Sequence, residues 1–318
     1  MIDFRYHLVS ILAIFLALGL GLVLGATALS DPLLAELQTR TSSLGKDNQD
    51  LRDQKLTMDS QLKGDEQFTR TLAPQFLADR LKGQSVVVVE TPGANDQIRV
   101  EVAKMAQEAG ATYTGQVTIN SKYVADDQLA VLDALVTSVK PADVTFAADA
   151  TPYDRAAAVL ASALVTDQGS RAGREDATGG EILAGFKDQG FLTISGKPGA
   201  RATLAVVIAP STLTKGRTAD ADNKALISLA SALDAADRGT VLAGTPEAAA
   251  DGGLIQVLRD SDAAGRISTV DSAGTATGQV VTILALAQEL TGKSGKYGIG
   301  SGVGGYVPTP VPSVGRRT

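Results

Sequence analysis

Residues 8–29 read LVSILAIFLALGLGLVLGATAL, a run without a single charged side chain. As an α-helix rising about 1.5 Å per residue, the run is long enough to cross the roughly 30 Å of hydrocarbon in a bilayer. The sequence therefore predicts a transmembrane helix over residues 8–29, with the lipid bilayer as a partner of the chain. The rest of the chain divides into a short head before this helix and a long region after it.

The charges that flank the run predict its orientation. The head contains Asp3, Arg5 and His7, whereas the first charged residues after the run are Asp31 and Glu36, followed only then by Arg40. Positive charge is favoured on the cytoplasmic side of a membrane helix. We therefore expect residues 1–7 to form a cytoplasmic head and the region after the span to be extracytoplasmic.

A cleaved signal peptide is the alternative to a retained anchor. Ala26, Thr27 and Ala28 have the small-x-small form that signal peptidase recognises. However, the apolar run is longer than the roughly 7 to 15 residues usual in signal peptides, and the head has no cluster of positive charge. A retained membrane helix is therefore favoured.

Two glycines within the run, Gly21 and Gly25, form a GxxxG pair. Such a pair lets two membrane helices pack closely, which is consistent with a dimer. The alternative is a smooth single helix in a segment rich in alanine, glycine and leucine.

Residues 31–72 have the seven-residue repeat of a coiled-coil stalk. The predicted seam has Leu37, Leu44, Leu51 and Met58 at d positions, and Leu34, Thr41, Asn48, Lys55 and Leu62 at a positions. A polar residue at an a position pairs with its own copy across the seam, so Asn48 predicts a parallel homodimer. The alternative is one amphipathic helix packed on its own globular domain.

After the stalk, the sequence predicts an α/β domain over residues 84–292. Residues 85–90 read SVVVVE, which is typical of a strand buried on both faces. Helical spacing over residues 96–109 and a second strand over 112–119 complete a βαβ unit. The alternation continues along the chain and predicts a Rossmann-like, mostly parallel sheet, possibly built from two similar halves that open VVVVETPG and AVVIAPST.

Three connecting regions complete the predicted organisation. We expect a hinge over residues 63–83, where Pro74 kinks or ends the stalk helix. A short strand is predicted over residues 144–147. Residues 293–318 are rich in glycine, serine and proline, and are predicted to be a disordered tail.

Composition excludes several kinds of site. The chain has 318 residues, a net charge of -6, no cysteine and one histidine, His7, so we expect no nucleic-acid partner, no disulfide and no thiolate metal site. The region after the span has no imidazole either. The methionines Met1, Met58 and Met105 form no paired motif, so a self-contained copper(I) site is not visible. No cofactor is predicted.

The carboxyl ends of the strands are the natural position for a ligand in a parallel α/β sheet. Glu90 and Asp96 lie near the end of the first strand and Asp271 lies at the end of a later one. The three could converge as a carboxylate cluster that binds a hard cation or acts as a general acid and base, which is the site that an enzyme would need. The alternative is that they are ordinary strand ends and helix caps, with Asn95 or Asp96 capping the next helix. The sequence contains neither GxGxxG nor a Walker lysine motif.

Three segments carry a resemblance to a known family: MIDFRYHLVSILAIFLALGLGLVLGATALSDPLL, LAPQFLADRLKGQSVVVVETPGAND and VDSAGTATGQVVTILALAQELTGKSGKYG. Together with the stalk they resemble the actinobacterial family named for mycobacterial copper transport protein B. The resemblance implies copper efflux or homeostasis at the cell envelope, sometimes described as an outer-membrane channel. It also implies an alternative, the membrane half of a two-protein system that controls cell separation through peptidoglycan hydrolases.

The resemblance supplies no catalytic residues, so we expect a non-enzymatic protein with an envelope or cell-division protein as its partner. One helical span cannot enclose a pore by itself. With neither cysteine nor a histidine beyond the span, direct copper handling would have to use carboxylates or the ligands of a partner.

Overall fold

The computed structural model describes residues 4–213 and 219–312, and for residues 26–35 it describes the backbone alone. The chain divides into two compact units, Met1–Asp65 and Glu66–Thr318. The first unit is helical wherever it is described. The second is an α/β domain, and the two are described separately below.

Helix α1 runs from Phe4 to Leu77. Within it, Phe4–Gly25 is long and apolar enough to cross a membrane, a test that a signal sequence also passes. This stretch includes residues 8–25 of the predicted span over residues 8–29, and the side chains of residues 26–29 lie outside the described residues. The side chains of the possible cleavage site, Ala26-Thr27-Ala28, lie outside the described residues.

The expectation that Pro74 ends the helix is wrong, because α1 continues through Pro74 to Leu77. The boundary between the two units, at Asp65 and Glu66, lies within the predicted hinge over residues 63–83. Proline removes one backbone hydrogen bond from a helix. Burial of Ala73 and Leu77 in the core of the second unit compensates for that loss. Residues 66–77 therefore belong to the α/β domain, although the sequence assigned most of them to the stalk.

The second unit alternates strands and helices along the chain. Its strands are β1 Ser85–Glu90, β2 Thr112–Ile119, β3 Leu192–Gly196, β4 Leu204–Ile208, β5 Thr240–Ala243, β6 Ser268–Val270 and β7 Lys296–Tyr297. Its further helices are α2 Asp96–Glu108, α3 Leu129–Val139, α4 Pro152–Leu164, α5 Ala177–Asp188, α6 Ala219–Ala236, α7 Leu254–Arg259 and α8 Ala276–Glu289.

The strands form one sheet in the order β3-β2-β1-β4-β5-β6-β7. Neighbouring strands are parallel except β2 and β3, which are antiparallel. The prediction of an α/β protein with a mostly parallel sheet and an apolar N-terminal helix is confirmed. The two segments that suggested similar halves are β1 and β4, which lie side by side with Val88 opposite Val206.

The valines of β1 place this strand at the centre of the domain. Side chains alternate between the faces of a sheet, so Val87 and Val89 enter one hydrophobic core and Val86 and Val88 enter the other. All four are fully buried. Helices cover both faces, which is why the strand reads as a continuous apolar run rather than an alternating one.

Two local predictions are wrong. Residues 144–147 form no strand. Within the predicted disordered tail, residues 293–312 have a described structure that includes β7, which pairs with β6, and the buried side chain of Tyr297. Long-range contacts order this segment even though its composition is typical of disorder. Residues 313–318 lie outside the described residues.

Candidate functional site

Glu90, the last residue of β1, is buried and fully paired. Its Oε1 accepts a hydrogen bond from Arg99 Nε at 2.9 Å, and its Oε2 accepts one from Thr118 Oγ1 at 2.6 Å. A buried carboxylate is tolerated when a cation and hydrogen-bond donors satisfy it. Glu90 therefore ties β1 to α2 and β2.

Asp96 and Asn95 begin helix α2 in the way that the capping alternative predicted. Asn95 is the N-cap, and its Oδ1 accepts a hydrogen bond from the backbone N–H of Gln97 at 2.8 Å. Asp96 is exposed in the first helical turn, where a negative charge interacts favourably with the helix dipole. A small cavity of about 220 Å³ lies beside them, between the loops that follow β1 and β2.

Asp271 follows β6 and is fully buried. Arg259 Nη1 donates a hydrogen bond to Asp271 Oδ2 at 3.0 Å. The backbone N–H groups of Ile299 and Gly300 donate to the two carboxylate oxygens at 2.7 and 3.0 Å. These contacts use the carboxylate to fasten the C-terminal segment to the sheet.

The structure does not bring Glu90, Asp96 and Asp271 together as a ligand site. Strands β4 and β5 lie between β1 and β6, so Glu90 and Asp271 are roughly 14 Å apart at the usual strand spacing. The two ends share one edge of the sheet, but the strand order separates them. Among the described side chains, those of residues 4–25, 36–213 and 219–312, no three His, Cys, Asp or Glu residues are grouped to hold a metal ion.

A site that the sequence analysis missed surrounds Arg201, just before β4. The side chain of Arg201 is only 6% exposed, and its backbone has a φ of 42°, in the left-handed region. Its Nε donates to the Ser162 carbonyl at 2.8 Å, and its Nη1 forms an ion pair with Asp176. Backbone strain at a non-glycine residue is stored only where surrounding contacts hold it in place.

Asp176 connects this arginine to helix α5. Its Oδ1 accepts a hydrogen bond from Gly179 N–H at 2.7 Å, which caps the helix. The Arg201 guanidinium, and then this N–H group, lower the pKa of Asp176. A cavity of about 480 Å³ opens beside the pair, and the polar loop after α4 forms part of its wall. Residues 166–180 read TDQGSRAGREDATGG, a polar composition typical of a loop, but no pattern in this stretch indicates its contact with Arg201.

Buried acids also collect at the amino ends of β5 and β6. Asp237 accepts hydrogen bonds from Gly239 N–H and Thr240 Oγ1, at 2.7 and 2.8 Å. Glu289, at the end of α8, accepts one from Ser268 N–H at 2.9 Å. Burial raises the pKa of Glu289 to about 7 and raises that of Asp237 well above its ordinary value.

The predicted stalk seam presents an apolar stripe on the first unit. Its leucines and methionine are half or more exposed in the single chain: Leu37, Leu44, Leu51, Met58 and Leu62. The polar seam residues are exposed as well: Thr41, Asn48 and Lys55. The side chain of Leu34 lies outside the described residues. In the apolar N-terminal stretch of α1, no atom lies within 4 Å of a Cβ built at Gly21 or Gly25.

Comparisons with known proteins agree along the whole chain. The family described as "Copper transport outer membrane protein, MctB" matches residues 1–308. The chain is similar to the copper transporter MctB of Mycobacterium tuberculosis (strain ATCC 25618 / H37Rv), with 31% identity over 95% of this chain and 98% of that protein. It is 32% identical to the copper transporter MctB of Mycobacterium leprae (strain TN), over the same shares of the two chains. The chain therefore belongs to the MctB family.

Proposed function

We propose that this chain is a single-pass protein of the cell envelope that takes part in copper transport and homeostasis as a non-enzymatic, dimeric scaffold. The family match over residues 1–308 is the observation that carries the copper role, together with the names of the relatives. The apolar stretch Phe4–Gly25 supports an anchor with a cytoplasmic head and an extracytoplasmic α/β domain. The description of the family names the outer membrane.

A scaffold suits the chemistry of the chain better than a copper conduit does. One transmembrane helix per chain has no lumen, so a pore would need other helices. Copper(I) prefers thiolate and thioether ligands. The chain has no cysteine, and Met105 is buried in the core against β1, away from solvent. We therefore assign the metal ligands to a partner and the positioning of that partner to this chain.

The exposed stripe of the first unit supports a dimer. A leucine or methionine every seven residues, with Asn48 at an a position, is the pattern of a parallel two-stranded coil. Side chains of this size lose favourable burial when they remain half exposed to water. A second copy in register covers them and places two α/β domains side by side for one partner.

The test of the copper role is genetic. In the organism that encodes the chain, deleting its gene should raise the copper content of the cells, measured by mass spectrometry of washed cells, and should lower copper tolerance. The full-length chain should restore both. Unchanged copper content and tolerance would overturn the proposed role.

A pair of charge variants separates the scaffold from the copper role. The first pair places lysine at two d positions, Leu44→Lys with Leu51→Lys. This variant should fail to restore the copper content and tolerance of the deletion strain, because like charges would face each other across the seam. The matched control, Ser43→Lys with Gln49→Lys, adds the same charge at positions outside the seam and should rescue fully. Equal rescue by both pairs would argue against a dimeric scaffold.

The exposed stripe is equally compatible with a second function, a scaffold that controls cell separation. That function predicts a fluorescent fusion that collects at septa and chains of unseparated cells after deletion. Uniform localisation and normal separation would argue against it. Normal copper content together with a separation defect would replace the copper role by this one.

A further inference from the structure

We propose that a groove on the α/β domain is the docking surface for a second copy of the chain. The helix groove is lined by Phe68, Thr69, Leu72, Ala73, Gln75, Phe76 and Val280. The inference rests on the dimer proposed above and extends its interface from the stalk into the folded domain. The groove lies wholly within the second unit.

Large apolar side chains stand open along the helix groove. Phe68 is 67% exposed, Leu72 is 41% exposed and Phe76 is 45% exposed. The groove encloses about 450 Å³. Contiguous exposed apolar surface on a folded domain is one of the features that mark interaction sites.

The heptad register identifies the occupant. Counting on from the seam of the stalk, Thr69 and Phe76 fall at a positions and Leu72 falls at d. The other helix residues of the groove, Phe68, Ala73 and Gln75, fall at g and e. The helix side of the groove thus consists only of a, d, e and g positions, the four that face a partner helix in a coiled coil.

The same helix segment is held against its own domain at b positions and also at two positions of the groove, Thr69 and the buried Ala73. Leu77, at a b position, is fully buried in the core, and Arg70, also at b, pairs with Glu101 of α2 at 2.6 Å. The hydroxyls of Thr69 and Thr277 share a hydrogen bond at 3.3 Å. One face of the segment is therefore occupied by α2 and α8. On the neighbouring face, among the residues that the structure describes, Phe68 and Leu72 remain exposed, and the Arg80 guanidinium lies 4.8 Å from the ring of the half-exposed Phe76.

A second copy fits this exposed face because a parallel, in-register pair is self-complementary. Leu72 would meet Leu72 and Phe76 would meet Phe76 about a two-fold axis. Asp65, at the d position between Met58 and Leu72, interrupts the apolar repeat where the first unit ends. The proposed contacts would thus comprise a seam of mixed polar and apolar residues in the first unit and the helix groove in the second.

The test uses the absence of native cysteine, which makes every introduced thiol unique. Four single variants of the full-length protein are compared in detergent micelles: Leu51→Cys for the stalk, Leu72→Cys and Phe76→Cys for the groove, and Val100→Cys as the control. Val100 is an exposed apolar residue of α2 outside the groove. Each sample is oxidised with diamide, and dimers are counted on a non-reducing gel.

We expect positions 51, 72 and 76 to crosslink efficiently and position 100 to remain monomeric. Crosslinking at 51 without crosslinking at 72 or 76 would overturn the helix groove as an interface and leave the dimeric stalk standing. Failure at all three positions would overturn both proposals. Crosslinking at positions 72 and 76 without crosslinking at position 51 would support the helix groove as an interface and overturn the proposed stalk seam.

A charge variant supplies a second measurement that does not depend on disulfide geometry. Phe76→Glu should raise the dissociation constant of the full-length dimer by about ten-fold or more, whereas Val100→Glu should leave it unchanged. Thermal unfolding of both variants shows whether the domain remains folded. An unchanged dimer in a folded Phe76→Glu variant would mean that lipid or another protein occupies the groove.

Discussion

The guanidinium of Arg259 and the carboxylate of Asp271 form a fully buried ion pair, with Nη1 and Oδ2 3.0 Å apart. Arg259 also donates hydrogen bonds to Thr269 Oγ1 and to the Tyr297 carbonyl, at 2.9 and 3.1 Å. This pair therefore connects α7, β6 and the C-terminal segment. The buried charges are stable in the fold because each is satisfied by the other and by backbone groups.

Replacing one partner of this pair should be strongly destabilising. Asp271→Asn leaves the Arg259 charge buried without its counter-charge, so we expect the free energy of unfolding to fall by about 3–5 kcal/mol. Urea unfolding of the full-length protein in detergent measures this change in the free energy of unfolding. The control is Glu36→Gln, which breaks an exposed ion pair with Arg40 and should cost less than about 1 kcal/mol. Similar losses in the two variants would contradict the structural role of Asp271.

Glu289 predicts a fall in stability as the pH rises. Burial raises its folded pKa to about 7, so between its ordinary value of 4.5 and about 7 the folded state holds a proton that the unfolded state has lost. We expect the free energy of unfolding to decrease by about 2–3 kcal/mol as the pH rises from about 5 to about 8.

Glu289→Gln tests this assignment, because the amide cannot titrate. The variant should keep only the part of the pH dependence that comes from other buried acids such as Asp237, whose pKa is also raised by burial. Urea unfolding at both pH values gives the comparison. An identical slope in the parent and the variant would show that Glu289 does not carry the effect.

Gly278 should not tolerate a side chain. It lies in the first turn of α8, and a Cβ at this position would come within 1.8 Å of the Ser272 carbonyl oxygen. We expect Gly278→Ala to destabilise the fold by about 2 kcal/mol or more, through overpacking and displaced backbone. Gly180→Ala, in α5, meets no atom within 4 Å and should be neutral or slightly stabilising. Thermal unfolding distinguishes the two, and equal midpoints would contradict the packing of α8 on the turn after β6.

Asn48 should determine the number of strands in the stalk. Asn48→Val places an apolar side chain at an a position, so we expect a more stable stalk that no longer forms a single oligomeric species. Thr41→Val, at the preceding a position, should add stability and leave the dimer unchanged. Native mass spectrometry of the full-length protein measures the distribution. One dimeric species in both variants would show that Asn48 does not specify the pairing.

The parts of the fold that depend on local pattern were predictable from the sequence. The valines of β1 predicted a strand buried on both faces, and Val86, Val87, Val88 and Val89 are all fully buried. A helix cap at Asn95 or Asp96 was recognisable because both precede the apolar spacing of α2, and the structure has Asn95 as the N-cap. These features need only neighbouring residues to form.

Features that depend on distant contacts were not predictable. Arg201 and Asp176 are 25 residues apart, and no spacing rule connects them. The order of strands β1, β4, β5 and β6 separates Glu90 from Asp271, although both follow strands that end at the same edge. Pro74 lies within a helix because its neighbours Ala73 and Leu77 are buried in the core of the domain. Helix propensity, which depends only on the local sequence, does not include this burial.

The pairing of β7 with β6 has a practical consequence for anyone who shortens the gene. A premature stop codon before Lys296 would remove the strand that protects the outer side of β6, together with the amides of Ile299 and Gly300 that satisfy Asp271. Strand β6 would then be an exposed edge strand, whose unpaired backbone groups can pair with other molecules and cause aggregation. Expression clones should therefore carry their affinity tags after Gly305, which forms the last bridge to Tyr297.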